Sequence, residues 1–148
     1  MRRIWRSALL VLASGGLVAG CHAGGSAALG AGEPVNLCDG VTALNGLPEP
    51  AVTSHQAILS YTGGALRVIA RIDTGRSVHT ISDTTISVPA TIVGALAAEK
   101  AAYQALRSRV ESATTAPMLH AAVQAFTDSP AFAGADSTVE LWAGNECG

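Results

Sequence analysis

The chain has 148 residues, room for one domain, and a formal net charge of −2. Three of its nine basic residues, Arg2, Arg3 and Arg6, crowd the start, so from Cys21 onward six basic residues face eleven acidic ones; that balance excludes the basic face a nucleic-acid partner needs. Hydrophobic residues make up 49 % but aromatics only 4 %, so the core is expected to consist mainly of Leu, Ile, Val and Ala.

Residues 1–20 predict an export signal. "MRRIWR" is a positive n-region, "SALLVLASGGLVA" is the apolar stretch, and small residues follow it. The stretch falls short of the roughly 20 apolar residues a spanning helix needs, and Gly15 and Gly16 interrupt it.

At Val18, Ala19, Gly20 and Cys21 the segment "LVAGC" resembles the lipobox of bacterial lipoproteins. The resemblance implies that the Cys21 thiol carries a diacylglyceryl group, with palmitate-type chains. It also implies that a dedicated peptidase cuts between Gly20 and Cys21, leaving the protein anchored on the extracytoplasmic face of the cell membrane. The residue types suit that chemistry: a thiolate readily forms a thioether, and small residues let the peptidase approach the backbone. At about 0.8 kcal/mol per buried methylene, two acyl chains hold a protein on a bilayer where one does so only marginally. The competing reading is a secreted protein in which Cys21 is a spare thiol.

Residues 21–37 follow as a tether, "CHAGGSAALGAGEPVNL", nearly all Gly, Ala and Ser up to Gly32. Such a composition cannot bury enough surface to offset its conformational entropy. The folded domain is expected over 38–148. With Cys21 assigned to lipid, Cys38 and Cys147 remain, and in an oxidising compartment they are expected to close one disulfide. The alternative for this pair, metal ligands or a nucleophile, lacks a C-x-x-C motif or an adjacent His.

Helices are predicted from there on. The first follows Cys38 and ends at Gly46 and Pro48. The second opens on a T-x-x-Q capping box, Thr53 and Gln56, and continues through Ile58, Tyr61, Ala65, Ile69 and Ile72 at three- and four-residue steps. Gly63 and Gly64 weaken it by about 1 kcal/mol each. The Val- and Ile-rich run at 67–81 offers an alternative, a β-hairpin turning at Asp73 to Arg76.

The third helix starts at Pro89 and runs to Glu111, with Ile92, Leu96, Tyr103, Leu106 and Val110 on one stripe. Glu99 falls on that stripe and is expected at its edge, reaching water; buried, it would mark a candidate functional carboxylate. The fourth is capped by Thr115 or Thr114, carries Pro117 in its first turn, and turns Leu119, Ala122, Val123 and Phe126 inward. Pro130 ends it. Ser137 and Glu140 form an S-x-x-E box that predicts a short last helix with Val139 and Trp142 facing the core.

The fold class expected is all-α, a small bundle of four or five helices closed by one disulfide. The opening cysteine, the Pro-started "VPATIVGALAAEKAAY" and the terminal "NECG" resemble small secreted or lipid-anchored helical proteins of unknown function from actinobacteria. That resemblance implies the fold and the disulfide, and brings no catalytic or binding residues with it.

Motifs for chemistry are sparse. His22, His55, His79 and His120 form no H-x-x-x-H or H-E-x-x-H arrangement, and no G-x-S-x-G elbow or phosphate-binding loop occurs. No catalytic residue, metal site or cofactor is assigned, and Trp142 is expected to be a core anchor rather than a stacking platform for a ligand. The functional expectation is a non-catalytic, membrane-anchored module that docks an envelope protein. The alternative is a module that binds a small apolar or lipid-like ligand between helices, and an enzyme ranks third.

Overall fold

The computed structural model describes residues 32–147. Five helices and one short hairpin follow in order: α1 (Leu37–Asn45), α2 (His55–Arg71), β1 (Val78–His79), β2 (Thr85–Ile86), α3 (Ala90–Ser112), α4 (Ala116–Thr127) and α5 (Pro130–Glu146). This is the small all-α bundle expected, and Cys38 and Cys147 close it as a disulfide. No helix among the described residues is long and apolar enough to cross a membrane.

Side-chain caps place most of the helix starts. Asn36 accepts from the Asp39 N–H at 2.9 Å, Ser54 from Ala57 at 3.2 Å, Thr115 from Met118 at 3.4 Å and Ser129 from Phe132 at 3.3 Å. Each satisfies one of the donors that a helix N-terminus leaves open. Two expected starts are therefore corrected. Helix α2 is capped by Ser54 rather than by the Thr53–Gln56 box. Helix α5 opens at Ser129 and Pro130, which places Ser137 in mid-helix, so the predicted short last helix is a full 17-residue one.

The hairpin also differs from its expected place. Burial of Ala65 and Ile69 keeps residues 67–71 helical, and Asp73 to Arg76 form a turn in which Asp73 Oδ1 accepts from the Gly75 N–H at 3.0 Å. Strands pair only at Val78 with Ile86 and His79 with Thr85. Asp83, at φ 58°, sits in the turn between them, a conformation that Asp tolerates better than most residues.

The core has two clusters, and α3 runs through both. Near its start Ile92, Ala95 and Leu96 pack with Leu37, Val41, Val78, Ala135, Val139 and Ala143. Farther on, Tyr103, Leu106 and Val110 pack with Leu44, Ile58, Ala65, Leu119, Val123, Phe126 and Phe132. The few aromatics are concentrated in this second cluster. Tyr103 is fully buried, with its ring centroid 5.4 Å from Phe126, 5.5 Å from Phe132 and 6.0 Å from Tyr61. Such contacts contribute about 0.5–1.5 kcal/mol each beyond their buried area.

Candidate functional site

Cys21 and Gly20, the proposed lipidation and cleavage positions, and His22 lie outside the described residues. The structure does define where the segment behind them joins the bundle. Val35 runs parallel to the strand-like residue Ile72, its N–H donating to Arg71 O and its carbonyl accepting from Asp73 N, both at 2.9 Å. The Arg71 guanidinium donates to Glu33 O through Nε at 2.9 Å and Nη2 at 2.7 Å. Val35 is buried, so the folded part begins ahead of Cys38.

The same end of the bundle gathers the other chain terminus. Cys147 is disulfide-bonded to Cys38, with Cα atoms 5.4 Å apart, and the Ile81 N–H at the hairpin tip donates to Glu146 O at 3.0 Å. The far end of α2 lies about 25 Å away, given 1.5 Å per residue over 17 residues. There His55 Nε2 donates to Val110 O at 2.7 Å, joining the start of α2 to the last turn of α3. Residues 33–35 thus join the bundle at the Arg71 end of α2, opposite His55.

Other predicted residues divide plainly. Glu99 is 2 % exposed, against the expectation that it reaches water. It lies on α3 between Leu96 of one cluster and Tyr103 of the other, is not unpartnered there, and owes its burial to the helices closing over both sides of α3. Trp142 is half-buried against the first cluster. His79 is exposed and pairs with Asp83 at 2.9 Å, and His120 is exposed. Among the described residues no group of three His, Cys, Asp or Glu side chains is placed to hold a metal ion.

One arrangement has no counterpart in the sequence reading. Arg67 on α2 and Arg107 on α3 converge over Gly63, each Nη1 standing close to the point a Gly63 Cβ would occupy, at 3.5 and 3.7 Å. The i, i+4 spacing of Gly63 and Arg67 is visible in the sequence; Arg107 joins them only once α2 and α3 pair. No protein-family model, curated protein or solved structure matches the chain.

Proposed function

We propose that the chain is a lipid-anchored extracytoplasmic protein whose helical domain serves as a non-catalytic interaction module of the cell envelope. The observation that carries this reading is "LVAGC" ending at Cys21, preceded by a positive n-region and an apolar stretch and followed by a Gly- and Ala-rich tether. A bundle attached at one pole suits the role, because its sides and far end stay open to a partner. Random-coil scaling of the tether gives a reach on the order of 20 Å, so that partner lies close to the membrane.

Charge indicates the chemistry of that partner. No Lys or Arg follows Arg109, whereas Glu111, Asp128, Asp136, Glu140 and Glu146 all do. Met118 on α4 and Leu141 on α5 are large apolar side chains that are 47 % and 67 % exposed. An acidic surface with isolated apolar anchors fits a basic protein surface, through complementary potentials that speed encounter and fix register.

The test is palmitate labelling with cell fractionation of the wild type and Cys21→Ala. The proposal expects label and membrane association in the wild type and loss of both in the variant. A Cys21→Ala chain that remains labelled in the membrane fraction overturns it.

A further inference from the structure

We propose that Arg67 and Arg107 form an oxyanion subsite that takes a phosphate group. Their guanidiniums come from different helices, yet both Nη1 atoms reach the same point above Gly63, within 3.5 and 3.7 Å of its Cβ position. Gly63 is buried, so these two side chains roof a backbone position that has no side chain of its own. Like charges held this close repel one another. A tetrahedral oxyanion relieves the repulsion and accepts from both forks at once, in the charge-assisted geometry arginine favours.

The surrounding bonds leave donors available. Arg107 uses Nε to donate to Glu111 Oε1 at 2.8 Å, which fixes the plane of its guanidinium and leaves the Nη groups toward Arg67. Glu111 engages Arg107 through Nε, while the Nη1 that reaches the shared point above Gly63 is a different donor of the same guanidinium. Arg67 has no hydrogen-bond or ion-pair partner among the described residues. Ser60, three residues before Gly63, and Gln104, three residues before Arg107, are exposed on the same two helix stripes and offer neutral donors nearby. The pair is a local cationic spot on a chain whose charge is otherwise acidic, so it is a site of its own and does not depend on the anchoring of Cys21.

Arginine-specific modification by phenylglyoxal tests it on the full chain in a neutral detergent, with mass spectrometry reading each arginine separately. Inorganic phosphate, phosphatidylglycerol added to the micelles, and chloride at matched ionic strength are compared. The subsite predicts that Arg67 and Arg107 are modified about fivefold more slowly with a phosphate-bearing ligand than with chloride, while Arg76 and Arg109 are unchanged. Protection by inorganic phosphate identifies a soluble ligand as sufficient, and protection by phosphatidylglycerol alone identifies a lipid headgroup. Arg67→Gln, an exposed and fold-neutral change, must abolish the protection of Arg107. Equal rates for all four arginines in every condition, or protection of Arg107 that persists in Arg67→Gln, overturns the proposal.

Discussion

Cys38, in the first turn of α1, and Cys147, at the C-cap of α5, are bonded across 109 residues of sequence. The bond joins the first helix to the last, at the end of the bundle where Val35 pairs with Ile72. Closing a loop of this length destabilises the unfolded chain by roughly 4–5 kcal/mol in the chain-entropy account. Reduction, or Cys38→Ser with Cys147→Ser, is therefore expected to lower the thermal midpoint substantially while far-UV circular dichroism below the transition stays helical. Calorimetry with and without reductant checks this; coincident midpoints contradict it.

Glycine substitutions separate close packing from mere permissiveness. A Cβ on Gly40 would stand 2.6 Å from Ile72 Cδ1 and closer still to Cγ1, so Gly40→Ala forces the Ile72 side chain or α1 to shift and should cost about 1–3 kcal/mol. Gly94 and Gly134 face open space within α3 and α5, and their replacement by Ala should stabilise by about 0.5–1 kcal/mol. Urea denaturation reads both signs.

The cap of α5 gives a test of similar clarity. Ser129→Ala removes the oxygen that accepts from Phe132 and is expected to cost about 1 kcal/mol. Ser137→Ala, at a position that looks like a cap in the sequence but lies in mid-helix, should change stability by no more than about 0.5 kcal/mol. A larger loss from Ser137→Ala than from Ser129→Ala would place the start of α5 where the S-x-x-E pattern put it.

Much of the bundle was legible where several local signals agree. Thr115, Pro117 and the spacing of Leu119, Ala122, Val123 and Phe126 all specify α4, and each inward residue is buried. The α3 stripe was equally plain. Ser137 and Glu140 misled because a capping box marks where a helix can begin; an uninterrupted helix already nucleated at Ser129 simply propagates through it. Glu99 was placed on the right stripe, but its burial depends on what α2, α4 and α5 lay over α3, which periodicity within one helix does not encode. Gly63 and Gly64 read as weak points of α2. In the fold Gly64 lets Leu47 approach, with Cδ2 3.3 Å from its Cβ position, and Gly63 lies under two guanidiniums. The convergence of Arg67 with Arg107 joins residues forty apart and exists only through helix pairing.

Glu99 carries a prediction of its own. A carboxyl group 2 % exposed between two apolar clusters is costly to disturb, since truncation leaves both a void and the groups that engaged it. Glu99→Ala should destabilise by about 2–4 kcal/mol, whereas Glu111→Ala, which removes a half-exposed partner of Arg107, should stay within about 1 kcal/mol. Paired chemical denaturation curves measure the contrast.

The claim on which the functional reading turns is that Cys21 is the anchor. Intact-mass spectrometry of the chain extracted from membranes tests it most directly. The proposal predicts a mature species beginning at Cys21, with its thiol carrying a diacylglyceryl group and the Cys38–Cys147 pair oxidised. A mature chain with an unmodified Cys21, or one cleaved downstream of it, contradicts the proposal.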